Sequence, residues 1–369
     1  MRLPLAVALM PAVLMTPLAR PAAAEESHLV IVVGLGGEAK YTEAFHELAL
    51  SMIGAAEKKL GVAQARIAYL GEKAAVPDVP VYKGRANREN VQKALGAVAQ
   101  AARPGDLVFI LLIGHGSFQA GESRFNLPGP DMTATDFAPL LAALSGEQVV
   151  FVNTSSASGD FVKALSGKGR TIVTATKSGM ERNETEFPSY FVEAFTGDKA
   201  DTDKDERVSV LEAFTYARRE VERFYEKGRR LLTEHAVLDD DGDGVGSADA
   251  GSAERTGTEA GSAERTGTGT GGEAGSAQRT GTGTGRDGRV AAATFLGTGA
   301  EAVAEGRSGP GEPRLVALRQ ERREVERRIA ALKARKDQVP PAEYEDALEG
   351  LLLELARKEQ SIRQHEAGK

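Results

Sequence analysis

Between His28 and about Phe195, five short apolar runs alternate with longer amphipathic stretches. This alternation constrains the fold more than any other feature of the chain. The runs are Leu29 to Val33, Arg66 to Leu70, Leu107 to Ile113, Gln148 to Val152 and Thr171 to Ala175. Each is too short for a helix and lacks the polar alternation of a sheet with one wet face, so each reads as a strand covered on both sides. The segments between them carry helical spacing. Thr42 to Leu60 repeats through Phe45, Leu48, Ile53 and Ala56. Arg88 to Ala102, Met132 to Leu144 (opened by Thr133 or Thr135) and a short stretch from Phe161 to Leu165 follow the same rule. The expected fold is α/β, a parallel sheet between two helical layers with right-handed crossovers.

The remainder of the 369 residues divides by composition. Residues 1–24 read as an export signal: Arg2, an apolar run from Leu3 to Leu18, and a small-residue cleavage site at Ala22-Ala23-Ala24. The expected location is secreted or periplasmic. No later run is long and apolar enough to predict a transmembrane segment. Residues 245–288 hold near-repeats of Gly-Ser-Ala-Glu-Arg-Thr-Gly-Thr beginning at Gly251, Gly261 and Gly275. With almost no apolar surface to offset ordering entropy, this tract reads as a disordered insertion, and residues 289–300 as a return to the core. Residues 313–366 read as an antiparallel helical hairpin. Leu318, Val325 and Leu332 repeat at seven, as do Leu348, Leu355 and Ile362, and Pro340-Pro341 separate the two arms. The first arm is net basic and the second net acidic, which favours their pairing and leaves self-association through the hairpin open.

The chain has no cysteine. That excludes a disulfide scaffold, a thiolate zinc site and a thiol nucleophile. The formal charge of −7 offers no global basic field for nucleic acid. No zinc is expected, because the five histidines show no paired-ligand spacing.

In an open parallel sheet, ligands bind beyond the carboxyl ends of the strands. There the third strand is followed by Gly114-His115-Gly116-Ser117, and the fourth by Asn153-Thr154-Ser155-Ser156-Ala157-Ser158-Gly159-Asp160. An imidazole beside a hydroxyl is the minimum for an activated nucleophile, and the Gly116 N–H is a candidate oxyanion donor. A carboxylate to orient the imidazole is not evident; Asp160 and Glu122 are candidates by proximity.

These two motifs, each after the right strand, resemble the caspase–legumain superfamily of cysteine peptidases, in which a His-Gly ends one strand and a Cys-x-Ser-Gly ends the next. The resemblance implies a caspase-like three-layer sandwich over residues 27–244, with His115 as general base. It puts Ser156 of Ser156-Ala157-Ser158-Gly159 where the family carries cysteine. It also implies that the pocket for the residue before the cut draws on the loops after the first and fifth strands, making Lys40, Ser178, Glu184 and Glu186 pocket candidates. Serine is the departure. A thiol titrates near ~8.5 and is partly ionised at neutral pH, whereas a hydroxyl is not. The expected function is an exported pseudopeptidase that binds a peptide or protein, or serves assembly. The alternative is a slow serine peptidase or esterase built on Ser156 and His115.

Two further motifs stand apart. Gly34-x-Gly36-x-x-Ala39 matches a dinucleotide fingerprint and supplies a second alternative, a nucleotide-binding α/β protein, but the nearest acidic ribose partner, Glu72, lies too far along, so no nucleotide is expected. Asp201, Asp203, Asp205, Arg207 (through its carbonyl), Ser209 and Glu212 occupy positions 1, 3, 5, 7, 9 and 12 of an EF-hand-type calcium loop. Val208 fills the apolar eighth position, and Leu211, Phe214, Val221 and Phe224 mark a following helix. Glu206 stands at position 6, where glycine is wanted, so a strained backbone is expected there. Calcium is the expected ion. Asp239 to Gly244 begins a similar pattern but has Gly246 at the eighth position and Ala250 at the twelfth, so it reads as no more than a calcium-friendly turn.

Overall fold

The computed structural model describes residues 26–144, 146–251, 287–297 and 340–367, with single positions between 314 and 332. The export segment, most of the glycine-rich tract and residues 298–313 lie outside the described residues.

The central sheet has seven strands. In chain order they are β1 (Ser27–Val33), β2 (Ile67–Gly71), β3 (Tyr82–Arg85), β4 (Leu107–Ile113), β8 (Gln148–Asn153), β9 (Arg170–Thr174) and β10 (Val237–Asp239), arranged spatially as β10-β9-β8-β4-β1-β2-β3. All neighbours are parallel except β10, which runs antiparallel to β9. A small antiparallel sheet of β5 (Gly116–Gln119), β6 (Glu122–Phe125) and β7 (Met132–Thr133) sits after β4.

Alternate residues of the apolar runs feed two cores, which is why the runs show no polar face. Leu29, Ile31 and Val33 of β1, with Phe109, Leu111 and Ile113 of β4, pack under α1 (Ala39–Lys58), α5 (Phe187–Thr196) and α6 (Val210–Lys227). Val30, Val32, Val108, Ile110 and Leu112 face α2 (Arg88–Ala101), α3 (Ala134–Ala142) and α4 (Asp160–Leu165). The result is three layers, helix, sheet and helix. Burying one such Leu, Ile or Phe side chain contributes about 1.5–3 kcal/mol.

Local chemistry sets the helix starts. The Asn87 side chain caps α2 by accepting from the Asn90 N–H at 2.8 Å. Thr133, not Thr135, caps α3 in a reciprocal box with Asp136. The expectation of a helix from Met132 is therefore corrected: Met132 and Thr133 pair with β6 first. β3, β5, β6 and β10 carry no long apolar run, so hydropathy alone does not predict them. They exist through pairing partners supplied by other parts of the chain. β5 and β6 join through Ala120 and Gly121, both at positive φ (53° and 82°), as in a two-residue hairpin turn.

The return segment joins the core through α7 (Arg289–Ala292), where Ala291 and Leu296 are buried. The tract expected as an insertion from residue 245 belongs to the folded domain as far as Gly251 and again from Asp287. Helix α8 (Pro341–Ala367) packs Leu351 with Val325, Ile329 and Leu332, and Ile362 with Leu318. Lys358–Glu321 at 2.6 Å and Arg328–Glu354 at 3.1 Å fix the antiparallel sense. No helix among the described residues is long and apolar enough to cross a membrane.

Strand order reverses at β1, whose neighbours are β2 on one side and β4 on the other. The loops after β1, β4 and β8 therefore share one rim, and the Gly34 N–H donates to the Ile113 carbonyl across it at 2.9 Å.

Candidate functional site

At this rim the structure brings His115 and Ser156 to adjacent strand ends but does not connect them. The Ser156 hydroxyl lies against Gly116: it donates to the Gly116 carbonyl (3.0 Å) and accepts from the Gly116 N–H (3.2 Å). Ser156 is only 4% exposed. The candidate oxyanion donor is thus occupied by the serine itself. Ala157 follows in a left-handed conformation (φ 53°), and its N–H is taken by the Glu181 carbonyl at 2.7 Å.

His115 sits half-buried in an aromatic corner. Its ring meets Tyr41 edge-on (centroids 4.7 Å apart) and Phe45 likewise (5.1 Å). Burial lowers its pKa, opposed by Glu184, by a hydrogen bond to the Gly36 backbone and by Glu38. The imidazole is therefore neutral at pH 7 and held by main chain. Neither carboxylate expected to orient it does so. Asp160 accepts from the Ser123 hydroxyl at 2.7 Å, and exposed Glu122 faces Arg124 at 3.8 Å. Both are engaged by residues of β6 instead.

The pocket candidates divide. Lys40 lies over the Tyr41 ring at 4.4 Å and pairs with Glu38 at 3.4 Å. Glu184 accepts from the Tyr41 hydroxyl at 2.7 Å. These two border His115 through Tyr41. Glu186 starts α5, half-buried, its pKa raised by burial and by Glu184. Ser178 belongs to a turn packed on Gly159, where its hydroxyl accepts from the Met180 N–H at 3.3 Å. The glycine turn of the dinucleotide pattern is closed by Glu72, which accepts from the Gly36 N–H (3.2 Å) and the Thr42 hydroxyl (2.7 Å). The Gly36 N–H of that turn is thus taken by a side-chain carboxylate.

A second set of residues, not anticipated, clamps the loop after β9 over the serine segment. The Thr185 hydroxyl donates to the Thr154 carbonyl at 2.7 Å. Glu181 binds both the His235 ring (2.6 Å) and its N–H (3.1 Å). Glu234, 2% exposed, accepts from the Glu186 and Phe187 N–H groups, and burial pushes it up to about 7. The contacts of Glu181 and Glu234 span 47 to 54 residues of sequence, and no local spacing announces them.

The loop from Asp201 folds as a carboxylate cup. One oxygen from each of Asp201, Asp203 and Asp205 lies within 4.8 Å of the others. Asp201 accepts from the N–H groups of Asp205 (3.1 Å) and Glu206 (3.0 Å). Lys204 and Glu206 take positive φ (59° and 68°), so the strain expected at position 6 is present. Ser209 and Glu212 stand outside this group. Glu212 accepts from Ser209 and Thr202, capping α6 and bracing the loop. Burial and the neighbouring Asp203 push Asp205 up to about 6.

The turn at Asp239 repeats this geometry more closely than its sequence suggests. Gly242 and Gly244 take the two positive φ values (83° and 79°), and Asp239 accepts from both their N–H groups. The acid missing at position 12 comes from Asp287, beyond the glycine-rich tract: Asp239, Asp241 and Asp287 form the second carboxylate group, with Asp287 accepting from the Ser247 hydroxyl at 2.5 Å. In the first loop Glu212 accepts from Ser209 in the same way.

Comparison of the chain with models of known protein families matched none of them. Comparison with curated proteins likewise found no match.

Proposed function

We propose that the chain is an exported pseudopeptidase of caspase–legumain type, which binds a peptide or protein along the His115 rim without cutting it. The observation that carries this reading is the seating of the Ser156 hydroxyl on Gly116, with no hydrogen bond to His115. A serine nucleophile needs a base to take its proton as it attacks, and here the proton points at a main-chain carbonyl. The three-layer sheet, the order of the two loops and the main-chain support of His115 favour descent from a peptidase. The rim keeps surface for a ligand: Leu35 and Met180 are 38% and 67% exposed on the loops after β1 and β9, and Arg182 covers Phe118 at 5.5 Å.

The test is turnover. Across a panel of fluorogenic peptides and simple esters, wild type and Ser156→Ala are expected to give the same background rate. Turnover by wild type that disappears in Ser156→Ala would replace this reading with a working serine hydrolase.

We also propose calcium as the ion of the 201–212 loop, supported by the ligand spacing, the converging carboxylates and the left-handed residues at positions 4 and 6. Ligand carboxylates must be ionised, so protons compete with the metal. With Asp205 near 6, calcium affinity is expected to fall about tenfold between pH 7 and pH 5. Calorimetric titration at the two pH values measures this; no heat and no rise in melting temperature at pH 7 would remove the assignment.

A further inference from the structure

We infer that helix α8 pairs with its own counterpart in a second copy of the chain, antiparallel, about a twofold axis between Glu354 and Leu355. One face of α8 is already used. Tyr344, Leu348, Leu351, Leu355 and Ile362, spaced three, four or seven apart, pack on the preceding arm. The opposite face carries a second seam, Asp346, Glu349, Leu353, Ala356, Gln360 and Arg363, every member exposed. Its spacing of 3-4-3-4-3 marks one continuous helix face, apolar at Leu353 and Ala356 in the middle and polar at both ends. Leu353 at its centre and Leu352 at its edge are 53% and 48% exposed, among the large apolar side chains the fold leaves to water.

Charge decides what covers this seam. From Pro341 to Glu354 the helix carries Glu343, Glu345, Asp346, Glu349 and Glu354 and no basic residue. From Leu355 to Lys369 the basic residues are Arg357, Lys358, Arg363 and Lys369, against Glu359 and Glu366. A helix acidic in its first half and basic in its second complements itself only when reversed. In that register the seam pairs Leu353 with Ala356, Glu349 with Gln360 and Asp346 with Arg363. All three pairs share one midpoint, next to the middle of α8, as an isologous twofold contact requires. Arg363 already lies 3.8 Å from Glu359 of its own helix and would add the partner's Asp346. Parallel pairing would instead set Asp346 on Asp346, Glu349 on Glu349 and Arg363 on Arg363, each repulsive. Around Gly350, beyond its own helix, no atom of the described residues stands within 4 Å of where a side chain would begin, so the approach is open.

The absence of native cysteine makes the geometry testable on the full chain by single cysteines. In the antiparallel register, two copies of position 356 are offset by about 4.5 Å along the helices, and two copies of position 346 by about 25 Å. Under mild oxidation Ala356→Cys is expected to give a disulfide-linked dimer and Asp346→Cys to remain free of the disulfide. Sedimentation of the unmodified chain should show a dimer weakened at least tenfold by Arg363→Asp and restored by Asp346→Arg with Arg363→Asp in the same chain. Crosslinking at both positions would mean a parallel pair and overturn the inference. A monomer at every concentration, or a dimer indifferent to Arg363→Asp, would overturn it too.

Discussion

Gly116→Ala is expected to cost about 3 kcal/mol or more and to lower the melting temperature by roughly 10 °C. A methyl group at Gly116 would overlap the Ser156 carbonyl oxygen and come within 2.7 Å of the Ser155 hydroxyl. Both neighbours are held. Ser155 is fixed by Asn153, which accepts from its N–H and its hydroxyl, and the Ser156 hydroxyl bonds Gly116 itself. The loops after β4 and β8 are therefore in contact through main chain, and neither can yield without breaking the other. Gly159→Ala should be comparable, because its methyl group would strike the main chain of Lys177 and Ser178, which belongs to the clamp over the same loop. Gly96→Ala in α2 is the control. Nothing stands within 4 Å there, and the substitution should stabilise by about 0.5–1 kcal/mol through helix propensity. Thermal denaturation of the three variants separates close approach at the rim from a general intolerance of alanine.

Ser156→Cys is expected to produce peptide cleavage where wild type has none. The imidazole it needs is neutral at pH 7, since burial lowers the His115 pKa, and the ring is held by the Gly36 backbone and the Tyr41–Phe45 corner. A thiol is partly ionised at pH 7, so a base that leaves a hydroxyl inert can still serve a cysteine. Sulfur is also larger and a weaker hydrogen-bond partner, which loosens its seat on Gly116 and frees that N–H for an oxyanion. Rate against a basic, an acidic and an aliphatic residue before the cut should then report whether Lys40 and Glu184, which border His115 through Tyr41, select that residue. A Ser156→Cys variant that folds, reacts with a thiol reagent and still cleaves nothing would mean that the cleft has decayed along with the nucleophile.

The parts of this molecule that a reader could anticipate are those written in contiguous residues. Leu29 to Val33 and Leu107 to Ile113 are apolar on both faces, so they could only be central strands, and the loops following them had to meet at one rim. The aspartates at 201, 203 and 205 likewise encode their own convergence, because a short loop leaves them nowhere else to point. What stayed hidden depends on distance along the chain or on a single torsion. Asp287 joins Asp239 and Asp241 from across the glycine-rich tract. Glu181 finds His235 at 54 residues' separation. β5 and β6 are polar segments whose strand character comes from each other. Whether the Ser156 hydroxyl faces the imidazole or the Gly116 carbonyl is a matter of rotamer and main-chain path, to which the letters Ser-Ala-Ser-Gly are indifferent.

The most direct measurement is covalent labelling of the wild-type chain with an alkyl fluorophosphonate, followed by mass spectrometry of the peptide that contains Ser156. An activated serine attacks such a reagent whatever its natural substrate. With the hydroxyl seated on Gly116 and out of hydrogen-bond contact with His115, the expected result is an unmodified peptide after prolonged exposure at about pH 8. Stoichiometric addition at Ser156, abolished by His115→Ala, would contradict it and show a live serine–histidine pair.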